Sequence, residues 1–299
     1  MILSSLIFHL IFDIMTRKNN FSLKFSNRIL PGVSLVLLIT SFTPSSLITP
    51  EKEYLQQVHP SGFQFLLQDG KSRFNGLLET ETLFTPVPTN QGITNDGRFL
   101  YISPDHHTIE KRDIRTFALL ESATHKDRIG GLYYDAKRDE ILTCSGEYIT
   151  GGKAFISRIN KNNLSQIEHT DISEYTHHGV NAIVRAGNNI YVGETAVGHD
   201  SLKKSWYRFD QDFNFKGTVY SHTSEKGSYD WQDATVYKGI IYATDHNGFV
   251  HAFSILKDGQ LVSLGSHDSL RKYAEGITQK NGVFTIWKSK SGIVSAKLK

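Results

Sequence analysis

From residue 91 onward the chain repeats one short pattern five times, and that recurrence limits what it can fold into. Each copy opens on a short triplet: Gln91-Gly92-Ile93, Gly130-Gly131-Leu132, Asn181-Ala182-Ile183, Asp233-Ala234-Thr235 and Glu275-Gly276-Ile277, spaced 39, 51, 52 and 42 residues apart. A second β-prone run follows in each, as in Leu100-Tyr101-Ile102, Ile190-Tyr191-Val192 and Ile241-Tyr242-Ala243. Between the two lies a turn such as Asn95-Asp96-Gly97, Lys238-Gly239 or Asn281-Gly282, the chemistry a tight hairpin needs. A third strand is expected at Thr108–Asp113, Ala154–Asn160, Ser205–Asp210, Phe249–Ile255 and Ile293–Leu298. The first four copies add a fourth at Phe117–Ser122, Ser165–His169, Phe215–Tyr220 and Gln260–Gly265.

Four antiparallel strands in a unit of ~40–50 residues, repeated along the chain, are the signature of a β-propeller. No window carries the apolar i, i+3, i+4, i+7 stripe of a helix. The fifth copy stops at three strands. An unpaired sheet edge is a template for aggregation, so the ring has to close. Leu77–Pro86 alternates apolar and polar residues and supplies the missing outer strand. The expectation is an all-β, five-bladed propeller over residues 77–299. A six-bladed alternative needs a whole blade from residues 51–90, where only one or two strands can be found.

Residues 1–46 read differently. A basic segment (Arg17, Lys18, Lys24, Arg28) precedes the apolar run Ile29–Phe42 and then small, polar residues, the order of a signal peptide. Export to the cell surface, periplasm or medium is expected, the alternative being a membrane anchor through residues 29–46. Residues 47–76 form a lead-in. Beyond residue 50 the chain carries 29 basic and 29 acidic side chains, so the overall net charge of +3 belongs largely to the leader. Nucleic-acid binding needs clustered positive charge and loses its main support. A single cysteine, Cys144, excludes an internal disulfide and a cysteine zinc cluster.

In a propeller the innermost strands begin on the face that also carries the loops between second and third strands. Gln91, Asn181, Asp233 and Glu275 are thereby expected around the axis, an oxygen set that suits a hard cation such as Ca²⁺. Ordered water is the alternative occupant. His178 and His246, the latter beside Asp245, are candidate general bases on that face. His106, Glu194 and Lys288 are candidate substrate contacts on the same side, and Tyr229 and Trp231 a candidate aromatic wall for a small-molecule or carbohydrate ligand.

The strand starts resemble those of the gluconolactonase/regucalcin and strictosidine-synthase-like propellers, which hold one divalent cation, usually calcium. The matching residues are Glu275 in Glu-Gly-Ile, Asn181 in Asn-Ala-Ile and Asp233 in Asp-Ala-Thr. The resemblance implies a cation on the axis and a hydrolase of a lactone, ester or sugar. Those propellers have six blades and carry their Glu-Gly first in the chain, whereas Glu275 comes last. A second resemblance is to five-bladed glycosidases, with Asp233 and Glu275 as the acid pair. Their leading blade carries an acid where this chain has Gln91. The remaining reading is a non-enzymatic propeller that binds a ligand or a protein through its loops.

Overall fold

The computed structural model describes residues 74–84, 91–146, 152–195, 203–223, 231–245, 247–268, 274–288 and 292–299. All of them belong to one unit, 48–299. The expected leader, Tyr229 and His246 lie outside the described residues.

Strand β1 (Leu77–Phe84) precedes five sets of strands. The first blade is β2 (Gly92–Asn95), β3 (Phe99–Ser103), β4 (Thr108–Asp113) and β5 (Leu119–Thr124), and the second is β6 (Leu132–Asp135), β7 (Glu140–Gly146), β8 (Ala154–Asn160) and β9 (Gln166–Asp171). The third is β10 (Val180–Ala186), β11 (Asn189–Glu194), β12 (Lys203–Asp210) and β13 (Phe215–Thr223). The fourth is β14 (Trp231–Tyr237), β15 (Ile240–Asp245), β16 (Val250–Ile255) and β17 (Leu261–His267). The fifth combines β18 (Ala274–Lys280), β19 (Val283–Lys288) and β20 (Gly292–Leu298) with β1, in the order β1-β20-β19-β18. β1 runs antiparallel to β20, from Leu77 opposite Leu298 to Phe84 opposite Ile293. The fold is therefore a five-bladed β-propeller whose ring is closed by pairing the first strand with the last.

Burial decreases from the axis outward. All seven residues of β7 are buried, whereas β5 and β9 on the rim show only exposed or half-buried positions. Inner strands consequently read as near-continuous apolar runs and rim strands as mixed ones. The seams between blades hold the core. Trp206, Trp231 and Phe253 pack together where the third and fourth blades meet, with ring centroids 5.5–5.8 Å apart. Phe84 of β1 stacks on Phe117 of the first blade at 4.6 Å, so the closing strand also bridges to its neighbour. Each fully buried large side chain contributes on the order of 1.5–3 kcal/mol.

The turns between third and fourth strands repeat one device. Asp113 Oδ1 accepts the amides of Arg115 and Thr116, Asn160 Oδ1 that of Asn162, Asp210 Oδ1 those of Asp212 and Asn214, and Asp258 Oδ1 that of Gln260. Phe117, Leu164 and Phe213 then turn back with φ of 61°, 54° and 61°. That reversal delays the fourth strand of the first blade, which starts at Leu119 rather than at the expected Phe117.

Candidate functional site

Strand register places the axial residues. Val180 pairs with Glu194 but Ala182 with Gly193; Trp231 pairs with Asp245 but Asp233 with Thr244; Ala274 pairs with Lys288 but Gly276 with Trp287. One extra residue, a β-bulge, therefore opens each of these inner strands: Asn181, Gln232 and Glu275. The residue equivalent to Asn181 and Glu275 is thus Gln232, and Asp233 stands one step further along. At its level the other blades carry Gly92, Gly131, Ala182 and Gly276. One step in register turns a side chain to the opposite face of its strand, and this corrects the expected equivalence of Asp233 with Asn181 and Glu275.

Four small residues leave room for a single carboxylate, and Asp233, fully buried, fills it. Its Oδ2 accepts the amides of Ile93 at 3.0 Å and Ile277 at 3.1 Å; its Oδ1 accepts those of Leu132 at 3.2 Å and Ala234 at 2.9 Å. Four of the five equivalent inner-strand amides therefore converge on one side chain. A Cβ added to Gly131 would lie 2.3 Å from the Asn181 carbonyl oxygen and 2.7 Å from Asp233 Oδ1. Burial pushes the Asp233 carboxyl well above the usual carboxylate range, and the four amides oppose that shift. All four are donors, so the geometry receives the ionised form: a proton on either oxygen would displace an amide.

This donor set fits amides better than a hard cation. Both Asp233 oxygens are engaged, and Gln91 Oε1 accepts from Arg128 Nη2 at 2.9 Å, which brings a permanent positive charge to the rim of the axis. Among the described residues no three His, Cys, Asp or Glu side chains are grouped to hold a metal. Asn181 and Glu275 remain on the ring above Asp233, both buried.

The other expected residues scatter over the seams. Asp245 is buried; its Oδ1 accepts the amides of Asn247 and Phe249, both at 2.9 Å, and its Oδ2 meets His251 Nε2 at 2.8 Å. The imidazole that answers Asp245 is thus His251, across the strand pair. Trp231 is interior, edge-on to His251 at 4.8 Å, and forms no aromatic wall at the surface. Lys288 pairs with Glu79 of the closing strand. Glu194 and His178 lie together in the third blade, where Glu194 Oε1 accepts the amides of His177 at 2.7 Å and His178 at 3.0 Å. His106 is exposed. Partial burial and the Arg128 and His107 charges hold it below the usual imidazole range.

An open cleft of about 970 Å³ lies on the loop face between the first and second blades. Its lining includes His107, Lys126, Asp127, Arg128, Lys153 and His169. Phe155 stacks on His169 at 4.5 Å, and Asp127 Oδ2 stands 3.4 Å from His169 Nε2. Three permanent cations and two imidazoles thus line the cleft with one carboxylate, Asp127, already turned to an imidazole, while Asp171 feels the Lys153 and His169 charges from outside the lining. Sequence reading reached this face through His106 and missed the cleft. Lys126-Asp127-Arg128 and Lys153 lie in different loops and carry no motif spacing; comparing charges across equivalent loops was the available signal.

No protein-family model matches this chain, and neither does any curated protein. The likeness to the gluconolactonase and strictosidine-synthase-like propellers stays at the level of short motifs. Among solved structures, the Myxococcus xanthus glutaminyl cyclase aligns with a TM-score of 0.53 at 11% identity, over 75% of this chain and 96% of that one. The β-propeller domain of Myceliophteria thermophila Cps50 (Swd1) aligns with a TM-score of 0.44 at 8% identity, over 70% of this chain and 82% of that one. A chain of a mitotic checkpoint complex gives a TM-score of 0.43 at 8% identity over 69% of this chain, which spans 62% of that chain's length. At these identities the likeness is one of fold, and the fold shared with the cyclase is the β-propeller.

Proposed function

We propose that this protein is a ligand-binding propeller whose loop face takes a small molecule bearing several negative charges, through the cleft between its first and second blades. The observation that carries this reading is the cleft's charge: Lys126, Arg128 and Lys153 against Asp127, whose carboxylate already faces His169. Basic side chains of this kind recognise phosphate, sulfate or clustered carboxylates by charge-assisted hydrogen bonds, and a concave wall strengthens their field. Phe155 adds an apolar surface against which the body of such a ligand can rest. Because residues 51–299 are neutral overall, this local excess of positive charge is a property of the site.

An axial hydrolase is less well supported. Asp233 has no oxygen free to hold a cation or to attack a glycosidic carbon, so neither the calcium-dependent nor the glycosidase reading retains its central residue. Thermal unfolding against citrate, tripolyphosphate, inorganic phosphate, a sulfated disaccharide and a neutral disaccharide tests the proposal. Ligands of the native state raise its stability as RT ln(1 + [L]/Kd). Stabilisation by the polyanions, absent with the neutral sugar and reduced in Lys126→Ala/Lys153→Ala, is expected. Equal response of wild type and double variant sinks the assignment to this cleft.

A further inference from the structure

Glu194 and Asp245 occupy equivalent positions at the ends of β11 and β15, opposite Val180 and Trp231 respectively. Each gives one oxygen to two backbone amides of a neighbouring turn. Their second oxygens differ. Asp245 Oδ2 is answered by His251 at 2.8 Å, whereas the residue at His251's position in the third blade is Tyr207. Glu194 is fully buried, and among the described residues its Oε2 meets no cation and no well-formed hydrogen bond. A buried carboxylate is ordinarily paired with a cation, and leaving it unpaired is costly.

Three more buried polar atoms nearby are in the same condition, Thr176 Oγ1, His178 Nδ1 and Thr195 Oγ1, and the Tyr207 hydroxyl stands against the Glu194 carboxylate as an uncharged neighbour. Thr176 and His178 flank His177, whose amide also donates to Glu194. The His178 amide donates to Glu194, Thr195 follows Glu194 and donates its amide to the Gly179 carbonyl, and the Tyr207 hydroxyl is pushed up by burial and by the Glu194 charge beside it. His177, between Thr176 and His178, is exposed, so the chain beside the cluster reaches solvent. All five atoms can accept a hydrogen bond: one carboxylate oxygen, three hydroxyls and one imidazole nitrogen.

We propose that the Glu194 cluster, with Thr176, His178, Thr195 and Tyr207, is a binding site for a primary ammonium group. Such a group brings the missing positive charge and three donors in a compact tetrahedral head, which a bare alkali cation or a quaternary amine does not. This site is independent of the anion cleft, although the two share a wall: a Cβ on Gly146, which lines the cleft, would lie 2.2 Å from Gly179 Cα beside His178.

Thermal unfolding of the full chain in methylammonium, tetramethylammonium and potassium chlorides at equal ionic strength tests this. Methylammonium should stabilise wild type beyond the other two salts, and Glu194→Gln should weaken its apparent affinity about tenfold or more, as for a lost charge-assisted bond. Thr176→Val serves if that variant does not fold: it removes one hydroxyl of the site at nearly constant volume and should reduce the response measured against its own unliganded midpoint. Equal stabilisation by potassium, no stabilisation, or an unchanged response in the variants, as for a cluster holding water only, overturns the proposal. Loss of polyanion binding in Lys126→Ala/Lys153→Ala leaves this result unaffected, so the two sites fail separately.

Discussion

Asp233 in the fourth blade accepts the backbone amide of Ile93 in the first at 3.0 Å, across 140 residues of sequence. With the amides of Leu132 and Ile277 on the same carboxylate, one side chain ties the inner strands of four blades. Asp233→Asn keeps the shape but turns an NH₂ donor toward amide donors, and is expected to cost about 3–5 kcal/mol, the scale of a broken buried charged network. Urea unfolding measures it. A change below 1 kcal/mol contradicts the clasp.

Close approach of the inner strands makes its own demand. Gly131→Ala places a methyl 2.3 Å from the Asn181 carbonyl, where only backbone can yield. A loss of about 1–3 kcal/mol is expected, as in other overpacked sites. Gly217, whose added Cβ meets nothing within 4 Å but whose φ is 128°, should lose only the smaller cost of backbone strain.

Between the second and third blades, Arg185 Nε lies 2.5 Å from Asp135 Oδ2 with both side chains buried. Arg185→Leu strands a buried carboxylate and should destabilise by about 3–5 kcal/mol; adding Asp135→Leu should recover part of that loss. Unfolding midpoints of the single and double variants give the coupling.

Acid should destabilise the fold in two stages. Opposing it are the buried Asp233 and Glu140 carboxyls, which burial holds above the usual range, so that their protonation favours the folded state. His106 and His125 are held below the usual imidazole range, both by burial and His106 also by Arg128 and His107. Each binds fewer protons folded than unfolded, so the stability it secures is whole above its unfolded value of about 6.5 and is lost as pH falls. Asp113, Asp139, Asp171 and Asp210 lie below the carboxylate range through their hydrogen bonds to Thr116, Lys161, Ser173 and Lys216. Their contribution is present above about pH 4 and falls away below it. Thermal midpoints across pH 3–8 test the sign; a protein most stable at pH 4 contradicts it.

The architecture was legible because strand spacing and turn chemistry survive in each copy, from Asn95-Asp96-Gly97 to Asn281-Gly282, and because Leu77–Pro86 alternates. The axis was misread by one residue. A bulge at Gln232 is invisible in a strand pattern, and it moves Asp233 from the ring of Asn181 and Glu275 to the layer where every sibling is Gly or Ala. His251 was missed for a related reason: it meets Asp245 from six residues on, across a hairpin, where nothing local in the sequence marks it. The cleft depends on loops of different blades meeting, which no local motif records.

Calorimetric titration of tripolyphosphate into wild type, Lys126→Ala/Lys153→Ala and Asp233→Asn tests most directly the claim that the axis is structural and the cleft binds. Wild type and folded Asp233→Asn should bind alike, the double lysine variant about tenfold or more weakly, with affinity falling as salt rises. Binding lost in Asp233→Asn and kept in the lysine variant would place the site on the axis and contradict the account.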